Sequence, residues 1–94
     1  MDVTHAESTR TMHKVKLYAL STCAWCRKTK RFFNLYNVDY EFVDVDLLGP
    51  AERQRVLEEV ARWNPRLSFP TVVVDDREVV VGFNEERLKE VLGL

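Results

Sequence analysis

Two cysteines, three positions apart, constrain this chain more than any other feature. Cys23-Ala24-Trp25-Cys26 holds the only cysteines among 94 residues. An apolar run, Val15 to Leu20, precedes it and reads as a strand. A helical pattern from Arg27 to Tyr36 follows it. A Cys-x-x-Cys at a strand-to-helix junction, in a chain without secretory features, reads as a redox pair. The first turn of a helix has N–H groups without intrahelical partners and a partial positive charge, and both favour a thiolate.

At about 100° per residue, Trp25, Cys26, Thr29, Phe32, Phe33 and Tyr36 fall within one arc of about 120°. Arg27, Lys28, Lys30, Arg31 and Asn34 fall on the other side. Cys23 lands among the polar residues and Cys26 at the rim of the apolar face. The pattern predicts one sulfur exposed at the helix tip and one half-buried a turn behind it. Dithiol exchange needs that asymmetry: an accessible attacking thiolate and a shielded resolving thiol. The helix dipole is worth about 0.3–1 kcal/mol, roughly 2 at best, so a strongly acidic thiol also needs hydrogen bonds to sulfur or a nearby cation. A zinc site or a structural disulfide are the competing readings. The first lacks ligands, since only His5 and His13 remain and both lie in a polar tail. The second is rare in short intracellular chains.

The length allows one domain with one small core. A net charge of −1 gives the whole chain no nucleic-acid or membrane signature. The signs are nevertheless segregated. Lys14 to Asn37 carries six basic residues and no acidic one, while Val38 to Arg62 carries seven acidic and three basic. Each block reads as a solvated face, or the basic flank steers acidic partners towards Cys23. No apolar run is long enough for a membrane span or a signal segment, so a cytoplasmic protein is expected.

Met1 to His13 is polar without apolar period and reads as a mobile tail, leaving residues 14–94 as the folded domain. His5 and His13 read as bystanders. A strand spans Lys14–Leu20, Ser21-Thr22 makes the turn, and Thr22 is the expected helix cap. The first helix ends near Asn37, and Asp39 to Val45 alternates as a second strand, parallel to the first through a right-handed crossover. Gly49-Pro50 opens a second helix with Val56, Leu57, Val60, Ala61 and Trp63 as its buried stripe. Asn64-Pro65 ends it. Thr71–Val74 and Glu78–Val81 form a hairpin across Asp75-Asp76. Gly82 breaks the strand, and Asn84 caps a last short helix carrying Leu88, Val91 and Leu92. The chain is therefore α/β, in the order βαβαββα.

These residues resemble a glutaredoxin, of the thioredoxin superfamily, over Lys14 to Leu94. Cys23-Ala24-Trp25-Cys26 resembles the family's Cys-Pro-Tyr-Cys. Ser68-Phe69-Pro70-Thr71 resembles its Thr-Val-Pro segment, where the proline is cis. Gly82-Phe83-Asn84-Glu85 resembles its glycine-rich turn into the last helix. The resemblance implies a thioredoxin-like fold, a four-stranded mixed sheet flanked by three helices, with the first and third helices on one face and the second on the other. It implies that Pro70 faces the sulfurs, that the Phe69 backbone pairs with substrate, and that Asn84 and Glu85 hold the glutamyl end of glutathione beside Gly82 and Phe83. Three departures bear on glutathione. Leu20 stands where the family has a basic residue, Val81 where it has a second glycine, and Phe69 where it has valine. Arg66 is the candidate to replace the lost charge. Gly82-Phe83 also resembles the redoxins that serve ribonucleotide reductase and draw electrons from a thioredoxin reductase. Ala24 replaces the active-site proline, and Trp25 reads as an apolar docking lip.

The expected activity is dithiol disulfide exchange, with Cys23 attacking and Cys26 resolving. Its substrates are disulfide-containing proteins or glutathione mixed disulfides. Glutathione or a thioredoxin-reductase-type protein supplies the electrons. No tightly bound cofactor is expected, and the chain is expected to act as a monomer. The alternatives are a dimer holding a [2Fe–2S] cluster through Cys23 and two glutathiones, and a non-catalytic interaction module on a redox fold.

Overall fold

Residues 13–94 are described by the structure, a computed structural model. The tail expected over Met1–His13, with His5, lies outside the described residues except for His13 itself. The order is β1 (Val15–Ala19), α1 (Ala24–Leu35), β2 (Glu41–Asp44), a 3-10 turn (Val45–Leu47), α2 (Pro50–Trp63), β3 (Thr71–Val74), β4 (Glu78–Val81) and α3 (Glu85–Leu92). The four strands form one mixed sheet in the order β2-β1-β3-β4. β1 runs parallel to β2 and antiparallel to β3, and β3 pairs antiparallel with β4. This is the thioredoxin-like arrangement that the resemblance implied.

Strand alternation sorts the core into two layers. Val15, Leu17 and Ala19 of β1, with Val72 and Val74 of β3, face Cys26, Phe32 and Phe33 of α1 and Leu88 and Leu92 of α3. Tyr18 and Val73 face the other way, onto Val60 of α2, with Val56 and Trp63 packed at the margin. So α1 and α3 share one face of the sheet and α2 covers the other. All four residues of β3 are buried, as an inner strand covered on both faces requires.

Several boundaries differ from the sequence pattern: β1 is one residue shorter at each end than Lys14–Leu20, and β2 begins at Glu41 rather than Asp39. α1 starts at Ala24 rather than Arg27, and its cap is Cys23 rather than Thr22. It stops at Leu35, because Asn37 takes a left-handed φ of 56° and Val38 N–H returns to Phe33 O at 2.9 Å. β2 ends at Asp44, because the chain then winds into the 3-10 turn. The β3–β4 turn has positive φ at both Asp75 (56°) and Asp76 (52°), the combination that primed hairpin turns require. His13 is tied to this turn. Its Nδ1 lies 2.7 Å from Asp75 Oδ2, and Lys14 N–H donates to Asp75 Oδ1 at 2.8 Å. The His13 bond, then the Lys14 N–H, hold the Asp75 carboxyl below the usual range. No helix among the described residues is long and apolar enough to cross a membrane.

Candidate active site

The site forms where β1 ends. After Ala19 the chain turns sharply, and Cys23 N–H closes the turn on Leu20 O at 3.2 Å. Cys23 stays extended, with φ −90° and ψ 119°, so its side chain points back along the new helix as a cap. Its Sγ accepts the N–H of Cys26 at 3.2 Å. The attacking candidate is thus itself the helix cap, which the preference for Thr22 had missed.

The two thiols, both unpaired, sit in different surroundings. Cys23 is partly exposed, and Cys26 is 0% exposed inside the α1/α3 core layer. Burial pushes the Cys26 thiol well above the ordinary range. The bond and charge of Cys23 push the same way, and a backbone hydrogen bond from Leu20, then the Lys30 ammonium, offset only part of this. The sequence pattern expected Cys26 half-buried; the structure buries it fully.

Aromatic side chains line one flank. Trp25 is 56% exposed, although it shares the apolar arc of α1 with the buried Cys26, Thr29, Phe32 and Phe33. Its ring stacks on Phe83 at 6.4 Å between centroids, 24° from parallel. Phe83 in turn meets Phe32 edge-on at 6.1 Å. The Lys28 ammonium lies 4.7 Å from the centre of the Trp25 ring, within cation–π range.

A second part of the site is the loop from Asn64 to Pro70. The Phe69–Pro70 peptide is cis. Asn64, buried after the last turn of α2, organises this loop. Its Nδ2 lies 3.0 Å from Ser68 O, Ser68 Oγ and Thr71 Oγ1, so two protons are shared among three acceptors. Its Oδ1 accepts the Arg66 N–H at 3.2 Å. Pro70 O accepts the Gly82 N–H at 2.8 Å, joining this loop to the turn after β4. Gly82 has φ +77°, the region glycine tolerates best.

The sequence-predicted residues therefore divide. Cys23, Phe69 and Phe83 pack against one core layer together with buried Cys26. Trp25 and Gly82 are linked to them by the stack on Phe83 and the bond to Pro70. Asn84 caps α3, its Oδ1 accepting Arg87 N–H at 3.0 Å, and Glu85 pairs with Lys89 at 3.5 Å. Arg66 is exposed, and among the described residues its guanidinium has no ion-pair partner. Two residues were missed. Asn64 looked only like a helix terminator, and no local signal marked it as the centre of a polar network. Asp46 drew no attention. Its carboxylate accepts both the N–H and the hydroxyl of Ser21, at 2.8 and 2.5 Å.

Among the described residues, no three His, Cys, Asp or Glu side chains converge as metal ligands. A metal cluster at Cys23 would draw most of its ligands from outside the chain.

The comparisons with known proteins agree with this geometry. The Glutaredoxin family matches residues 15–79. A glutaredoxin-like 8.6 kDa protein of Clostridium pasteurianum is 31% identical over 78 residues, spanning 83% of this chain and 96% of that protein. The crystal structure of methanoredoxin from Methanosarcina acetivorans superposes with a TM-score of 0.83 at 44% identity, covering 86% of this chain and 85% of that one. That of a glutaredoxin from Methanosarcina mazei gives 0.82 at 45% identity, over 90% of this chain and 81% of that one.

Proposed function

This chain belongs to the glutaredoxin family, and from that premise we propose that it is a dithiol thiol–disulfide oxidoreductase acting on protein disulfides and glutathione mixed disulfides. The observation that carries the proposal is the unequal setting of the two sulfurs: Cys23 partly exposed at the helix tip, Cys26 buried 3 positions later with its thiol kept protonated.

In the proposed reaction the Cys23 thiolate attacks one sulfur of the substrate disulfide. A Cys23–substrate disulfide forms, and the other substrate sulfur leaves as a thiolate and takes up a proton. Cys26 then gives up its proton and attacks Cys23 Sγ. The Cys23–Cys26 disulfide forms and the second substrate thiol is released. Two electrons and two protons from an external donor restore the dithiol. Because the Cys26 thiol is held protonated, the mixed disulfide forms first and resolution follows as a separate, base-assisted step.

The exposed Trp25–Phe83 pair is proposed as the docking lip for protein substrates, with Arg27 and Lys28 steering acidic partners. Phe69 and Pro70 are proposed to line a second part of the site. Gly82, Asn84, Glu85 and Arg66 are proposed to hold glutathione. Leu20 and Val81 replace groups that grip glutathione elsewhere in the family, which supports a thioredoxin-reductase-type protein as the competing electron donor.

The test is disulfide trapping on a protein substrate. Cys26→Ser is expected to accumulate a stable mixed disulfide, and Cys23→Ser to form none. A reversed pattern, with Cys23→Ser trapping substrate, overturns the assignment.

A further inference from the structure

We propose that Asp46 is a positioning residue for Cys23, gripping the turn that presents the attacking sulfur. The proposal rests on the role assigned above to Cys23.

The argument starts from the register of β1 and β2. Their last paired residues are Ala19 and Asp44. Two residues further along each strand stand Ser21 and Asp46. There the backbones have parted, one into the turn before Cys23 and the other into the 3-10 turn, so no main-chain ladder can hold them together. The Asp46 carboxylate takes over. Oδ1 accepts the Ser21 N–H at 2.8 Å and Oδ2 accepts the Ser21 hydroxyl at 2.5 Å. Two bonds to one residue fix its orientation as well as its position. Ser21 is one of the two residues between Leu20 and Cys23, whose backbone groups close the turn. The grip is therefore applied two residues from the sulfur.

The backbone that carries the carboxylate is braced from behind. Arg53, in the first turns of α2, donates from one guanidinium nitrogen to Asp46 O at 3.4 Å and Leu48 O at 3.0 Å. Its own N–H caps back onto Gly49 O at 2.8 Å. A chain of contacts thus runs from α2 through the 3-10 turn to the Cys23 turn. The Ser21 hydroxyl, then its N–H, hold the Asp46 carboxyl below the usual carboxylate range. The grip thus remains ionised at any pH where thiols react. Disulfide exchange needs the attacking sulfur in line with the bond it breaks, so loosening this turn slows the attack without removing either cysteine.

The test measures mixed-disulfide formation with a protein disulfide in the Cys26→Ser background, which isolates the first step. Asp46→Ala is expected to slow it about tenfold, while circular dichroism stays native. Asp46→Asn keeps an acceptor for the N–H and an amide to meet the hydroxyl, so it is expected to recover to within about threefold of the parent. Ser21→Ala should slow the step less than Asp46→Ala, and the double variant should be no slower than Asp46→Ala alone. A rate for Asp46→Ala within about twofold of the parent overturns the proposal, as does Asp46→Asn as slow as Asp46→Ala. Should Asp46→Ala fail to fold, the near-isosteric Asp46→Leu, which removes both acceptors, and Ser21→Ala with their double variant carry the same cycle: additive losses refute the grip and non-additive losses support it. A parent protein that forms no mixed disulfide sinks the oxidoreductase reading and this proposal together. A reactive parent with indifferent variants sinks only this one.

Discussion

Asn64→Ala should loosen the loop that carries Phe69 and Pro70, and the cost can be worked from its contacts. Asn64 is 4% exposed. Its two amide protons serve Ser68 O, Ser68 Oγ and Thr71 Oγ1. Removing them leaves no buried orphan, because Thr71 Oγ1 still donates to Ser68 O at 2.8 Å. Arg66 N–H also loses Asn64 Oδ1, and, being exposed, turns to water. The loss is therefore three neutral hydrogen bonds at about 1 kcal/mol each, one of them partly recovered by water, plus a small void, or about 2–4 kcal/mol. A domain this size has about 5–15 kcal/mol in total, so the variant still folds. With a urea m-value of about 1–3 kcal/mol/M, the midpoint should fall by roughly 1–3 M. Asn64→Asp should be worse at neutral pH. A carboxylate has no proton to offer Ser68 O, and of the two hydroxyls only that of Ser68 is free to turn and donate to it, so the cost rises to about 3–5 kcal/mol. Its folded-state pKa is raised above the unfolded value of about 3.9. The deficit is then largest above the folded pKa and shrinks as pH falls towards the unfolded one, by about 1.36 kcal/mol for each pH unit that separates the two values. The assay is urea unfolding under reductant at several pH values, followed by the fluorescence of the neighbouring Trp63. An Asp variant no less stable than the Ala variant at pH 7, or a deficit that ignores pH, would refute the donor role of Asn64.

Two further predictions concern the site itself. At neutral pH, iodoacetamide should modify Cys23 alone. Cys26, buried and with its thiol pushed up, should react only as the pH rises or the chain unfolds. Intact mass and peptide mapping check this, and equal labelling of both sulfurs contradicts the unequal surroundings. Arg66→Ala should lower turnover with glutathione by about three- to tenfold, the modest effect of an exposed charge, while leaving reduction by dithiothreitol unchanged. Unaltered glutathione kinetics would remove Arg66 from the site.

The element order was legible because it rests on local pattern, while the assignment of helices to the two faces of the sheet came from the resemblance. The β-branched runs of Thr71–Val74 and Glu78–Val81, the wheel of Phe32 and Phe33, and Pro50 at a helix start all act within a few residues. The Cys-x-x-Cys was legible for the same reason. What escaped were contacts set by chain topology. Thr22 outranks cysteine as a helix cap by general preference, yet the turn delivers Cys23 to that position. Asp46 reaches Ser21 only because β1 and β2 lie side by side in parallel register, 25 residues apart in sequence. Asn64 looked like a stop signal because nothing local distinguishes a terminating asparagine from one that turns inward to bind a loop.

Cys26 belongs both to the core and to the proposed chemistry, and this overlap separates what can tune the protein from what merely holds it together. The sulfur is enclosed with Ala19, Phe32, Phe33 and Leu88, so α1 cannot shift without disturbing it. A redox potential records only the difference between the reduced and oxidised forms, about 30 mV for each 1.4 kcal/mol. Substitutions that weaken both forms alike, as at Asn64, change stability and leave that difference alone. The potential can move only through groups that tell a free sulfur from a bonded one. The Cys26 N–H on Cys23 Sγ is such a group. So is the desolvation that keeps the Cys26 thiol protonated, because both act on the dithiol and are lost or altered when the sulfurs join. The helix tip therefore sets the driving force, while Asn64 and Asp46 act on where the loops stand.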